Sequence, residues 1–442
     1  MTSTTTEIEL PPAIAHKPGR ASSAIAPQEI STGHVDHNDP EPPTNFVRAR
    51  QRWNHPKSNI SRVFSTFWSF VVMGANDAAY GALIPYLEKY YSLGYTVIAL
   101  VFLSPFIGYT SAAALISRIH HRFGQRGIAL IGPICHTITY IILCVHPPWP
   151  VVVIVCVLAG FGNGVLDAAW NTYIGNMANA NEILGFLHGF YGLGATISPL
   201  IATSMITKGH LPWYSFYYLM ICLGVIELGT AAVAFWSSTG KVFRDAQQVS
   251  AGSKSGSTRQ VIRNQATWLC SAFLFVYVGV EVSLGGWIVT FMINVRSGTA
   301  FASGISAVGF WLGITVGRVI LGFVTPRIYL LASMGLELLF WLVPHFLVSA
   351  IAVAFLGFFL GPLFPAVVVA AMKILPQHMH ISAVGFASAF GGAGAAMFPF
   401  VVGAMAQAKG VTVLQPFILA MLGLDLVLWV LISRIPRTHH QD

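Results

Sequence analysis

The residues best placed to do chemistry in this sequence are a few polar and ionisable side chains set inside long apolar runs. Asp77 closes the small-residue stretch Gly74-Ala75-Asn76-Asp77. Asn163, Asp167 and Asn171 are spaced by four, which on an α-helix places all three on one face, with Trp170 beside them. Glu281 precedes Gly285-Gly286-Trp287, Arg318 follows Gly317, and His188 stands just before a Gly-rich stretch. An ionised group at the centre of a bilayer costs at least about 2.5–3.5 kcal/mol on insertion scales, so such groups face a partner or a cavity. Two chemistries suit this set. One is the binding of a polar solute through carboxylates and amides; the other is proton exchange, because a buried carboxyl is held neutral more easily than an exposed one.

Each position has a structural alternative. Asp77 and the Asn163–Asp167–Asn171 stripe would also serve as hydrogen-bonding glue between helices, Trp170 and His188 as packing, and Arg318, if buried, needs an acidic or carbonyl partner. His136 carries a weaker case than His188. Glu227, Glu337 and Asp425 fall in segments expected at the periphery and read as polar packing. No nucleophile, base and orienting group come together, so no catalytic residue is assigned. All five cysteines lie in apolar runs without metal-ligand spacing, which points to neither a disulfide framework nor a metal site. No Gly-Lys-Ser/Thr phosphate loop is present, and no cofactor is implied.

The elements that must hold these groups follow from composition. Of 442 residues only 9% are charged and 55% are hydrophobic, against about 25% and 45–50% in soluble domains. Apolar runs of about 20 residues are the length needed to cross the hydrocarbon, and backbone in lipid must satisfy its own hydrogen bonds, so the runs are expected to be helices. Twelve are expected, at 63–91, 94–117, 128–147, 149–175, 182–207, 213–236, 267–293, 303–325, 328–346, 348–373, 381–407 and 414–433. Residues 1–62, rich in Ser, Thr, Pro and His, read as a disordered tail. Residues 63–236 form a first six-helix bundle, 237–266 a basic, Ser/Gly-rich linker, 267–433 a second bundle, and 434–442 a short tail. The Asn59–Ser61 sequon would matter only with the tail outside the cell.

The net charge of +8 is spread over loops, which disfavours a nucleic-acid partner. Basic residues near 48–62, 118–126, 241–263 and 434–437 fall on one side of the expected bundle, against Lys89, Lys208, Arg296 and Lys409 on the other. Under the positive-inside rule both termini are cytoplasmic, and the plasma membrane is the default location. The halves also repeat. Phe190, Gly192, Gly194, Ala195 and Pro199 recur as Phe390, Gly392, Gly394, Ala395 and Pro399, and Gly160-Phe161 with Gly164 recurs as Gly357-Phe358 with Gly361. Two parallel six-helix repeats are a layout of membrane transporters.

On these residues, and on Asp167-Ala-Ala-Trp-Asn171-Thr-Tyr173, Tyr277-Val-Gly-Val-Glu281-Val-Ser283, Gly317-Arg318, Phe364-Pro365 and Gly391-Gly392, the chain resembles the major facilitator superfamily, near the fucose–proton symporter group and its fungal relatives. The resemblance implies a monomeric secondary transporter in the lipid bilayer, carrying a sugar or related polyol with protons by alternating access. Asp167, Asn171 and Glu281 stand where that group has a carboxylate, an Asn and an acid, and the family position of Arg318 implies a gate or helix-end contact more than substrate binding. At two positions the chain departs: Gly81 stands where the symporters have a first-helix acid, leaving Asp77 one turn earlier, and His121 stands where the superfamily has a loop acid. An exporter of a fungal metabolite and a non-transporting nutrient receptor remain as alternatives.

Overall fold

A computed structural model of the chain describes residues 51–249, 258–321, 326–376 and 379–436. Most of the expected N-terminal tail, the centre of the linker and the residues from 437 on lie outside the described residues. Within them the chain is helical: α1 (Ser58–Tyr91), α2 (Tyr95–Ile98), α3 (Leu100–Cys144), α4 (Trp149–Gly175), α5 (Ala180–Thr207), α6 (Phe216–Phe235), α7 (Gly240–Val249), α8 (Thr258–Arg263), α9 (Gln265–Asn294), α10 (Ala300–Ile320), α11 (Pro326–Leu342), α12 (Phe346–Leu360), α13 (Leu363–Ile374), α14 (His380–Lys409) and α15 (Leu414–Arg434). Nine helical segments among the described residues are long and apolar enough to cross a membrane. Twelve crossings need three more, and α1, α11 and the second leg of α3 occupy the places expected for them.

Several boundaries differ from the sequence expectation. The first helix starts at Ser58, ahead of residue 63. Asn59, the sequon residue, is fully buried and donates to Gln51 Oε1 at 3.1 Å and to the Arg52 carbonyl at 3.0 Å, so its amide is occupied inside the fold. The second and third expected spans merge into α3, bent at Gly124, whose φ of 71° lies in the left-handed region. A Cβ there would also strike the Ser238–Thr239 backbone. The linker is not loop throughout: α7 docks on this bend, with Phe243 stacked on His120 at 4.0 Å and Arg244 donating to the His121 carbonyl at 2.8 Å.

The tenth expected span is broken, for a reason written in its prolines. Pro362 and Pro365 have no N–H, so the carbonyls of Phe358 and Gly361, four residues before each, lose their helical donors. The helix stops at Leu360 and restarts at Leu363.

The internal repeat holds at the level of packing. A Cβ on Gly194 would collide with the Val71 carbonyl of α1, and one on Gly394 with the Phe275 carbonyl of α9. Likewise Gly160 lies against the Pro105 carbonyl and Gly357 against that of Phe310. Small residues let helix backbones approach this closely in the absence of a hydrophobic drive between helices in lipid.

The halves touch mainly at the end remote from the described termini. There Gly81 meets the Gly285 carbonyl, Gly403 meets α2 and Trp287, and Gly304 meets Thr203. Trp287 is fully buried and donates to the Pro399 carbonyl at 2.9 Å. Towards the opposite end, no described atom lies within 4 Å of where a Cβ would stand on Gly185, Gly189, Gly385 or Gly392. Backbone contact between the halves is thus recorded at one end and not at these four glycines towards the other.

Candidate functional site between the halves

Asp77 is half-buried at mid-helix in α1 and accepts three hydrogen bonds. Asn76 Nδ2 donates to Oδ1 at 3.0 Å, Asn163 Nδ2 to Oδ1 at 3.1 Å, and the Tyr191 hydroxyl to Oδ2 at 3.0 Å. Gly74, one turn earlier, admits α5 so closely that its missing Cβ would overlap the Tyr191 carbonyl. That approach is what brings Tyr191 to the carboxylate. Asn76 Oδ1 has no partner among the described residues.

Asp167 forms a second cluster on α4. The Tyr109 hydroxyl of α3 donates to its Oδ2 at 2.5 Å and Asn171 Nδ2 to its Oδ1 at 2.8 Å, while Asn171 Oδ1 lies 3.2 Å from His188 Nε2 of α5. Asp77, Tyr109, Asp167, Asn171 and His188 are all partly exposed, as groups facing a gap between helices must be.

The second half supplies an ion pair. Arg318 Nη2 on α10 donates to Glu281 Oε1 at 2.9 Å and Oε2 at 3.2 Å, and Arg318 Nε donates to the Gly361 carbonyl at 3.3 Å. Both partners expected of a buried guanidinium, an acid and a carbonyl, are present. The carbonyl is the one that Pro365 left without its helical donor. Side-chain exposures of 21% for Arg318 and 7% for Glu281 put the pair at the edge of the gap. The two halves meet here: Gly192 packs on Thr315, His188 lies 6.3 Å from the Phe364 ring, and Tyr191 is within electrostatic reach of both Glu281 and Arg318.

Eight of the nine singled-out residues therefore gather around the contact between the halves. Trp170 does not. It is fully buried and stacked on Phe235 of α6 at 4.6 Å, since position 170 lies about 100° round the helix from Asn171. It is a packing residue. Sequence reading also passes over four contributors. Tyr109 and Tyr191 carry no spacing signal of their own. His136 and Glu227, weak candidates or peripheral packing by sequence, form a fully buried pair at 3.0 Å that reaches Asp77 through Asn163. Glu337 and Asp425 are fully buried without hydrogen-bond partners among the described residues.

The family model of the Major Facilitator Superfamily matches residues 66–336. The chain belongs to this superfamily. It is accordingly an integral membrane transporter of small-molecule substrates built on the all-α major facilitator fold. Among its relatives is Bypass of stop codon protein 6 of Saccharomyces cerevisiae, 30% identical over 418 residues, 86% of this chain and 84% of that protein. The glucose/mannose transporter GlcP of Bacillus subtilis is 24% identical over 341 residues, 73% of this chain and 83% of that protein. A solved bacterial homologue of the human lysosomal transporter Spinster, in an inward-facing and unoccupied conformation, superposes with a TM-score of 0.66 over 86% of this chain and 98% of its own, at 13% identity. That likeness bears on the fold of this major facilitator protein and not on its cargo.

Proposed function

We propose that this protein is a secondary active transporter of a sugar or related polyol, driven by protons and working by alternating access. The observation that carries the reading is the pairing of two hydrogen-bonded carboxylates, Asp77 and Asp167, with a Glu281–Arg318 ion pair across the contact between two parallel repeats. Amides and carboxylates in such an arrangement suit a ligand rich in hydroxyl donors and acceptors. Two acids that share a gap also offer a place for a proton to load and leave as access alternates. Sequence relatives named as glucose/mannose and glucose/galactose transporters support the substrate class.

With the described termini cytoplasmic under the positive-inside rule and the plasma membrane as the default location, the end remote from the Gly81–Gly285 contact is the inward side. The test is uptake of labelled monosaccharides into proteoliposomes with and without an imposed inward proton gradient. Gradient-stimulated uptake is expected; the absence of any monosaccharide flux under both conditions would reject the reading.

A further inference from the structure

Behind Asp77 lies a titratable pair that the proposed reading does not use. His136 on α3 and Glu227 on α6 are both fully buried, with Nδ1 3.0 Å from Oε2. The opposite ring nitrogen, Nε2, lies 2.9 Å from Asn163 Oδ1, and Asn163 Nδ2 donates to Asp77 Oδ1 at 3.1 Å. The imidazole occupies a slot emptied for it: a Cβ on Gly162 would strike the ring edge, and the Tyr140 ring stacks above it at 6.0 Å. Asp77, Tyr80, Tyr140, Cys156, Tyr217 and Glu227 are the titratable groups around this slot. Of these, Asp77 is the one already placed at the gap.

Donor and acceptor roles fix where the hydrogens are. Asn163 turns its amide nitrogen to the Asp77 carboxylate, so its carbonyl oxygen faces His136 and Nε2 must carry a hydrogen. Nδ1 then meets Glu227 with a hydrogen between them, either as imidazolium and carboxylate or as imidazole and carboxylic acid. Without that hydrogen, lone pairs would face each other at 3.0 Å in a dry site. The pair thus holds one proton and is neutral as a unit, which matches its complete burial. Were the pair to lose this proton, the ring would keep its hydrogen on Nδ1, towards Glu227. Nε2 would then be an acceptor, and Asn163 would turn its amide nitrogen to His136. Its carbonyl oxygen would face Asp77, an arrangement satisfied only when Asp77 carries a proton and donates. The two arrangements differ by one proton moved from the His136–Glu227 pair to Asp77, and the total charge of the cluster is the same in both.

We infer that His136 and Glu227 form a buried proton-holding pair that positions Asn163 as a donor to Asp77, so that a proton on the pair favours the ionised form of Asp77. Neither residue touches the gap; both act through Asn163. Because the inference deepens the proposed proton-coupled site, its test has one readout that needs no substrate. Nitrogen-15 NMR of histidine-labelled full-length protein in liposomes, with the His136 signals assigned by their loss in His136→Leu, reads the protonation of each ring nitrogen directly. The expected spectrum at about pH 7 shows Nε2 protonated and Nδ1 sharing a hydrogen. A bare Nε2 would overturn the inference, whatever the substrate proves to be.

The second readout is the pH profile of uptake. His136→Leu and Glu227→Leu, which free Asn163 to turn, are expected to move its midpoint to higher pH by about one unit, a tenfold change in proton affinity. Glu227→Gln, whose amide can donate to Nδ1, is expected to restore the wild-type midpoint. A lowered rate at an unchanged midpoint in all three variants would reduce the pair to structural packing and reject the coupling. Should the variants fail to fold, the His136 signals are assigned in the wild type by their through-space contact with carbon-13-labelled glutamate, and that spectrum alone upholds or overturns the inference.

Discussion

Glu281→Gln provides a direct measure of the ion pair that closes one side of the site. In the wild type, Arg318 makes two hydrogen bonds to Glu281 and one to the Gly361 carbonyl. Removing the carboxylate charge leaves the guanidinium the new amide oxygen and the Gly361 carbonyl as acceptors, with no counter-charge. Breaking a buried pair by removing one partner costs about 3–5 kcal/mol. Water reaches one edge of Arg318, whose side chain is 21% exposed, so the lower limit of about 3 kcal/mol is the appropriate figure. Arg318→Gln strands Glu281, which is 7% exposed, at a similar cost. The double variant removes both charges together and should lose only about 2 kcal/mol, whereas independent sites would lose the sum of the two single effects. The assay is equilibrium unfolding of the purified full-length protein in mixed micelles, run as a double-mutant cycle. Additivity within about 0.5 kcal/mol would refute the pair as an energetic unit.

Three further outcomes are expected. Asp167→Asn should abolish gradient-driven sugar uptake while leaving the unfolding midpoint within experimental scatter, because the amide keeps the shape that Tyr109 and Asn171 bind; unchanged pH-dependent uptake would remove Asp167 from the mechanism. Trp170→Phe should leave the KM for uptake within about twofold, since the ring packs on Phe235, whereas Trp170→Ala should cost about 3–5 kcal/mol of stability; a large rise in KM for Trp170→Phe would put the ring in contact with substrate after all. Gly194→Val and Gly394→Val should each sharply reduce folded yield in fluorescence size-exclusion profiles, while Gly189→Ala, facing open space, should not; equal tolerance at 194 and 189 would contradict the close helix approach.

Much of the fold is legible in the sequence because lipid imposes a simple rule: an apolar run of sufficient length must be a helix. The repeat at Gly194 and Gly394 is readable for a similar reason, since a glycine needed for backbone contact leaves its mark at a fixed interval. Where hydropathy runs on uninterrupted, the reading gives the span but not the break inside it. Residues 348–373 lie within one long apolar segment, yet Pro362 and Pro365 break the helix, a signal present in the letters but outweighed by the length of the run. The site shows the same division. Asn163, Asp167 and Asn171 announce themselves through spacing, and all three bond to neighbouring polar groups. Trp170 is drawn in by adjacency to Asn171, but neighbours on a helix point about 100° apart, and its ring packs on Phe235 instead. His136 and Glu227 are undervalued because a pair formed between two helices has no sequence spacing; it exists only once α3 and α6 pack together.

At the end where the halves meet, part of the seal is main chain. Gly81 abuts the Gly285 carbonyl, with Trp287 packed against Gly403 and Asn294 donating to the Tyr95 hydroxyl beside it. A barrier of swinging side chains can leak by degrees, as one rotamer after another gives way. A barrier of apposed backbones has no such intermediate settings: it yields only when whole helices separate, and it then yields along its full height. Passage through this end should therefore be all-or-none, appearing in single-molecule distance records as two discrete levels without a graded drift between them.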